Sequence, residues 1–94
     1  MIVRKIDLKH HIDEKGQLVK TGNGTVIEES EPTILFRGRD YLAMPLLLKY
    51  REMCVRDGCN DFQLKQVDAL IERFATFARE NPTVMKQPGI TRGL

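Results

Sequence analysis

The segment between Asp40 and Gly58 constrains the fold most, because it predicts a helix with apolar side chains on two sides. Asp40 is a capping residue at its start, and Gly58 is placed to end it in the left-handed conformation. Pro45 falls in the expected second turn, where it removes a hydrogen bond and predicts a bend or a separate first turn. At about 100° per residue, one face collects these apolar side chains: Leu42, Leu46, Leu47, Tyr50, Met53 and Cys54.

A smaller apolar set lies roughly opposite on the same helix, and it consists of Met44, Leu48 and Val55. A helix that is apolar on two sides requires two contacts. One contact is a following helix, and the other is either the N-terminal part of the chain or a second copy of the protein. We therefore predict that this is the central helix of the fold.

A second helix is predicted to follow after a short connection. Asn60 is its expected cap, with Gln63 as the capping-box partner, and Asn81-Pro82 is expected to end it. Its apolar positions form one stripe, and charges of both signs cover the rest of its surface. Because the connection is short, the helices are expected to form an antiparallel hairpin. The stripe consists of Leu64, Val67, Leu70, Ile71, Phe74, Phe77 and Ala78.

The first 36 residues predict strands and turns. Period-two alternation at Ile2, Ile6 and Leu8 favours a strand, although Ile2, Ile6 and Ile12 would also suit a loose helix. The sequence DEKG at positions 13–16 is typical of a turn. A further short strand is predicted over residues 33–36, after Pro32.

The segment QLVKTGNGTVIEE predicts a β-hairpin, and its register depends on the loop. A two-residue loop at Gly22-Asn23 places Val19 opposite Val26. A loop at Asn23-Gly24 places Val19 opposite Glu28 instead. Pairing of apolar side chains favours the first register.

These elements predict an α+β fold: a small antiparallel β-sheet, built from N-terminal strands and a hairpin, packed on a C-terminal two-helix antiparallel hairpin. With 94 residues, the chain is expected to form a single domain over residues 1–81. Residues 82–94 contain prolines and glycines and no acidic residue, and they are expected to form a flexible or extended tail.

Composition excludes several classes of protein. A net charge of +2 is too weak by itself to indicate nucleic-acid or membrane binding. No apolar run approaches the roughly 18 residues of a membrane span, and the N terminus is too charged for a signal peptide, so we expect a cytoplasmic protein without membrane contact. Cys54 and Cys59 are too few for a secreted disulfide scaffold, and we expect reduced thiols, with Cys54 packed and Cys59 near the surface.

Candidate chemistry is sparse. His10 and His11, with the nearby acids Asp13 and Glu14, are expected in a solvated turn rather than in a metal site, because adjacent histidines lack the spacing of known zinc sites. No catalytic residue, metal ligand or cofactor is predicted. The segment GNG at positions 22–24 lacks the remaining features of a phosphate loop and is typical of a turn.

Arg37 and Arg39 form the candidate anion-binding pair, because they flank a glycine just before a predicted helix N terminus. The favoured alternative pairs them with acidic residues of the hairpin, namely Glu28, Glu29 or Glu31. A helix-turn-helix interpretation is disfavoured, because the second helix begins with Asp61-Phe62-Gln63 rather than with basic side chains.

The most consistent hypothesis is a non-enzymatic protein–protein interaction or assembly module that self-associates as a homodimer. Its candidate interaction face is Met44, Leu48 and Val55, although burial of this face by the protein's own sheet is the simpler interpretation. The alternative function is a nucleic-acid-binding accessory protein that uses Arg37, Arg39 and the basic C-terminal tail, with Lys86 and Arg92.

Overall fold

The computed structural model describes residues 1–86, and it confirms an α+β fold. The strands are β1 (Ile2–Lys5), β2 (His10–Asp13) and β3 (Leu18–Lys20), which form an antiparallel sheet in the order β1-β2-β3. The helices are α1 (Ala43–Arg56) and α2 (Asp61–Glu80), which pack against each other, and a short 3-10 helix follows at Pro82–Val84.

The chain divides into two compact units, a sheet unit (Met1–Ile34) and a helical unit that begins at Leu35. The predicted packing of the sheet on the helices therefore stays a prediction, and so does the single domain over residues 1–81. No helix within residues 1–86 has both the length and the apolar character needed to cross a membrane.

The turn between β2 and β3 is built by Asp13, and it confirms the prediction for residues 13–16. The Asp13 carboxylate accepts hydrogen bonds from the backbone N–H groups of Lys15 and Gln17, each at 2.9 Å. Gly16 adopts a φ of +78°, a left-handed conformation that suits glycine. Both features are local: an aspartate side chain accepts from the backbone that follows it, and a glycine adopts a positive φ. The sequence can therefore predict them.

The register of the next hairpin also agrees with the prediction. Val19 forms an antiparallel bridge with Val26, and the N–H of Ile27 donates to the C=O of Leu18 at 2.8 Å. Val19 is 5% exposed and is the buried hydrophobic residue of the described sheet unit. The loop is longer than the predicted two residues, because the N–H of Gly24 donates to the C=O of Lys20 at 2.8 Å.

The strand predicted over residues 33–36 is wrong. This segment is irregular, and Ile34 and Leu35 are each 78% exposed. A β-branched and aromatic composition favours a strand only where a neighbouring strand supplies hydrogen-bond partners, and residues 33–36 belong to no ladder in the described chain.

Helix α1 begins at Ala43, later than Asp40 predicts. The Asp40 carboxylate accepts from the N–H of Leu42 at 2.8 Å, within a turn that precedes the helix, and Leu42 caps α1 without a side-chain hydrogen bond. With this start, Pro45 lies in the first turn, where its missing N–H has no partner to lose. The predicted loss of a hydrogen bond at Pro45 is therefore wrong, whereas the predicted separate first turn is confirmed, because the N–H of Ala43 donates to the C=O of Asp40 at 3.1 Å and closes a turn before the helix.

The connection between the helices agrees with the prediction. Helix α1 ends at Arg56, and Gly58 follows with a φ of +74°. Asn60 caps α2, because its side-chain oxygen accepts from the N–H of Gln63 at 2.8 Å. Both signals are local chemistry of helix ends.

The seam between the helices is formed by small side chains of α1. Ala43 is fully buried, Cys54 is 4% exposed, and Leu47 between them is half-buried. Val67 of α2 is 2% exposed, and its neighbour Gln66 is also buried. Short side chains at a contact let two helices approach closely, which leaves larger neighbours on the flanks of the seam.

The predicted inner face of α1 is therefore partly wrong. Of its members, Cys54 is buried and Leu47 is half-buried, whereas the others are exposed: Leu42, Leu46, Tyr50 and Met53. The predicted stripe of α2 is closer to the structure. Val67 is buried, Phe77 is exposed, and the remaining members are half-buried: Leu64, Leu70, Ile71, Phe74 and Ala78.

The chain that enters the hairpin is paired with the chain that leaves it. The N–H of Lys86 donates to the C=O of Arg39 at 2.9 Å, and the N–H of Tyr41 donates to the C=O of Lys86 at 3.0 Å. These bonds form a parallel bridge between Asp40 and Lys86. The predicted tail thus starts with a 3-10 helix and a paired residue, and its remainder, residues 87–94, lies outside the described residues.

Candidate functional site

Helix α1 carries exposed apolar side chains on both flanks of its seam. We call the first set the Tyr50 face: Leu42, Leu46, Tyr50 and Met53, which are 41–53% exposed. We call the second set the Leu48 face: Met44, Leu48 and Val55. Leu48 and Val55 are 52% and 54% exposed, and Met44 is half-buried. The Leu48 face is the interaction face predicted from the sequence, and its role as an interface stays a prediction.

Two side-chain contacts show how these faces continue onto α2. On one flank, the side-chain amide of Gln63 donates to the Tyr50 hydroxyl at 3.1 Å. On the other flank, the Arg51 guanidinium donates to the Asp68 carboxylate at 2.5 Å, and this carboxylate raises the pKa of Arg51. The Tyr50 face therefore lies beside the Gln63 side of α2, and the Leu48 face lies beside the Asp68 side.

The two sides of α2 differ in polarity. Helical periodicity places Leu70 and Phe77 on the same side as Gln63, since they follow it by seven and fourteen residues, close to whole numbers of turns. The Asp68 side carries the charged Glu72 and Arg79, together with the apolar Leu64 and Ala75, which lie four residues before and seven residues after Asp68. The Tyr50 face thus continues onto α2 through the apolar Leu70 and Phe77, whereas the Leu48 face meets a mixture of charged and apolar side chains.

The chain before α1 touches this apolar surface at Phe77. A Cβ atom built on Gly38 would lie 3.1 Å from ring atoms of Phe77, a distance at which the ring would have to move. Gly38 is therefore used for close approach of the backbone to an aromatic ring. It places the neighbouring arginines, Arg37 and Arg39, next to the C-terminal half of α2.

Arg37 and Arg39 flank Gly38 but do not lie immediately before the helix N terminus as predicted, because α1 begins at Ala43. Arg37 is exposed and Arg39 is half-buried, and their backbone carbonyls accept from Asp40 and Lys86. Within the described part of the helical unit, neither guanidinium has a carboxylate within ion-pair distance. Anion binding by this pair stays a prediction, and so does pairing with the acidic residues Glu28, Glu29 or Glu31 of the other unit.

The histidines lie on strand β2 and not in a turn, which corrects the prediction. The Asp7 carboxylate lies 3.0 Å from Nδ1 of His10 and also accepts from the N–H groups of Lys9 and His10 at 2.7 Å. Nδ1 of His11 contacts the Thr21 hydroxyl at 2.8 Å. The Asp7 contacts are those of a turn-closing aspartate, so the His–Asp pair has a structural explanation.

Within residues 1–86, no group of three His, Cys, Asp or Glu side chains is arranged to hold a metal ion. The sheet unit has an open groove of about 640 Å³ beside the hairpin, with Glu28, Glu29 and Glu31 in its lining. These acidic side chains define an acidic surface, but they do not by themselves define a ligand.

The connection between the helices brings together Tyr50, Cys54 and Cys59; the sequence identifies the two cysteines and favours reduced thiols over a bridge, but it does not place Tyr50 beside them. The N–H of Cys59 donates to the C=O of Cys54 at 2.9 Å, and the side-chain interaction with Cys54 raises the pKa of the Cys59 thiol. Burial, followed by the interaction with Cys54, raises the pKa of the Tyr50 hydroxyl. The available signal was the spacing, because cysteines on the two sides of a helix-ending glycine occupy positions that commonly touch.

Comparison with protein-family models, with curated proteins and with solved structures found no match to this chain. Two features of the described helical unit bear on function: the apolar Tyr50 face and the neighbouring cysteines.

Proposed function

We propose that the protein is a non-enzymatic assembly module that self-associates through its helical hairpin. The observation that carries the proposal is the exposed Tyr50 face: Leu42, Leu46, Tyr50 and Met53. Soluble monomers usually avoid contiguous apolar surface of this kind, and such surface marks interaction sites.

The spacing of these residues suits helix–helix contact. Leu42, Leu46, Tyr50 and Met53 follow one another at intervals of four, four and three residues. Intervals of three and four residues keep side chains on one stripe of a helix, which is the pattern used at helix–helix interfaces. The Tyr50 hydroxyl adds a polar group at the middle of the stripe, as is common where aromatic residues form interfaces.

A second copy of the chain is the partner that best accounts for this surface. In the described helical unit, the hydrophobic side chains that are fully buried are Ala43, Cys54 and Val67, which make a thin core. Units with so little core usually gain stability from oligomerisation or another added constraint. Two hairpins related by a twofold axis would form a four-helix bundle and would bury both Tyr50 faces at once.

The test compares two charge substitutions on one helix. Leu46→Glu places a carboxylate on the Tyr50 face, and Leu48→Glu places one on the Leu48 face. Both leucines are about equally exposed, at 50% and 52%, so the monomer should tolerate either change. Molar mass from light scattering is measured over a concentration series, with helix content from circular dichroism on the same samples.

We expect the parent protein to dimerise, Leu46→Glu to be monomeric with unchanged helix content, and Leu48→Glu to dimerise like the parent. Dimer loss in Leu48→Glu alone would instead identify the interface as the face predicted from the sequence. A parent protein that stays monomeric at high concentration would contradict self-association altogether.

A further inference from the structure

The C-terminal end of α1 folds the chain back on itself. The N–H of Cys59 donates to the C=O of Cys54 at 2.9 Å, and the N–H of Gly58 donates to the C=O of Val55 at 3.2 Å. This pair of bonds is the Schellman arrangement, in which the residue after the glycine returns to the last turn of the helix. The residues that meet in this arrangement are Cys54 and Cys59.

The side chains of the two cysteines also interact. The backbone bond between them brings the two residues side by side, Cys54 raises the pKa of the Cys59 thiol, and both cysteines are free. A disulfide without backbone movement requires Cα atoms within about 7 Å, and the 2.9 Å bond from the N–H of Cys59 to the C=O of Cys54 holds the two residues within this range. Cys54 is 4% exposed, whereas Cys59 is half-buried and is the thiol that a reagent can reach.

We propose that Cys54 and Cys59 are a redox modification site, which closes to an intramolecular disulfide when the protein meets a small-molecule disulfide such as glutathione disulfide. This inference is independent of the proposed self-association. The disulfide would staple the last turn of α1 to the connection that precedes α2.

The reaction proceeds in two exchange steps. Cys59 loses its proton to solvent, and its thiolate attacks one sulfur of glutathione disulfide, which breaks the S–S bond and releases one glutathione thiolate. The thiolate of Cys54 then attacks the Cys59 sulfur of the mixed disulfide and releases the second glutathione. Two protein thiols are oxidised to one disulfide, and one glutathione disulfide is reduced to two glutathione thiols, which take up the two protons.

The order of attack follows from exposure. Cys59 is the first nucleophile because it is accessible, and Cys54 resolves the mixed disulfide because it lies beside Cys59 and is shielded from the reagent. Because the thiolate is the reacting species, the raised pKa of Cys59 makes the first step slow at neutral pH and faster as pH rises.

The test treats the full chain with glutathione disulfide and measures free thiols and intact mass. We expect both thiols to disappear together, with a mass decrease of about 2 Da for the lost hydrogen atoms and no retained glutathione. Trypsin cleaves after Arg56, so the closed form should give one disulfide-linked pair of peptides, residues 52–56 and 57–65. This readout uses the unmodified sequence and does not depend on how a variant folds.

A matched pair of variants tests the assigned roles. Cys54→Ser should stop at the mixed disulfide and retain one glutathione on Cys59, whereas Cys59→Ser should leave Cys54 unmodified in the folded protein. Retention of glutathione on Cys59 of the parent protein would overturn the proposal. A disulfide between two chains, seen as a dimer on a non-reducing gel, would overturn it as well.

Discussion

Replacing Val67 with alanine tests how the helical unit is stabilised, because Val67 is the largest side chain that the described structure buries completely. The change removes the equivalent of two methylene groups, which contribute about 1.6 kcal/mol when transferred from water. A residual cavity of roughly 40 Å³ would add about 1 kcal/mol. Partial collapse of the site reduces this sum, so the free energy of unfolding should fall by about 1.5–2.5 kcal/mol.

Val55→Ala is the matched control, because it removes the same atoms from a side chain that is 54% exposed. Alanine is the better helix former, which contributes up to about 0.5 kcal/mol at either position. The difference between the two variants therefore isolates the effect of burial.

The assay is thermal unfolding followed by circular dichroism at 222 nm, which reports on the helices, at a protein concentration low enough to keep the chain monomeric. We expect Val67→Ala to melt at least about 6 °C below Val55→Ala. Equal melting temperatures would refute the packing of Val67 between the two helices.

Three further predictions follow from single features of the helical unit. Phe74→Ala should lower the free energy of unfolding by about 2–3 kcal/mol, which is less than the loss for a fully buried ring, because Phe74 is half-buried. Urea unfolding measures this loss, and a value below about 1 kcal/mol would contradict the packing of Phe74. Gly58→Ala should lower the free energy of unfolding by about 1–2 kcal/mol, because its φ is +74° and nothing lies within 4 Å of the added methyl group, so only backbone strain contributes. Gly22→Ala is the control: its site is equally open but has no positive φ, so the free energy of unfolding should hardly change. Alkylation of Cys59 by iodoacetamide should need a higher pH in the folded than in the urea-unfolded chain, because the folded pKa is raised; identical pH profiles would show that the contact with Cys54 is absent in solution.

Helix ends and turns were predictable because their chemistry is local. The glycine after α1, the capping of α2 by Asn60 and the turn at Asp13 each depend on side chains within a few residues of the backbone groups that they satisfy. The pairing of Val19 with Val26 was predictable for a related reason, since a one-residue change of loop position alters every cross-strand pair.

The inner face of α1 was not predictable in the same way. Periodicity ranks side chains by hydrophobicity, so it selects the large residues Leu42, Leu46 and Met53. The structure buries Cys54 of the predicted face together with Ala43, which the pattern did not select, because the distance between two helices depends on which side chains meet across it. One sequence does not contain that information until the partner helix is in position.

The candidate site shows the same division. The two cysteines were identified from the sequence, and their closeness could also have been predicted, because it follows from their positions around a helix-ending glycine. The polarity of each hairpin face depends on the side of α2 to which Tyr50 and Arg51 point, which only the contacts with Gln63 and Asp68 establish. Function remains a proposal, because an exposed apolar surface identifies a kind of contact and not a named partner.

The bridge between Asp40 and Lys86 has a consequence for the order of folding. Its residues are 46 positions apart (86 − 40), whereas α1 and α2 are separated by only the short connection around Gly58. Contacts between residues close in sequence form first, so the helical hairpin forms before the bridge. The folded hairpin then holds Asp40 and Lys86 near each other, so forming the bridge costs little further loop-closure entropy. The amide protons of Tyr41 and Lys86 should accordingly exchange faster with solvent than those of the helix centres, since the bridge can open while the hairpin stays folded.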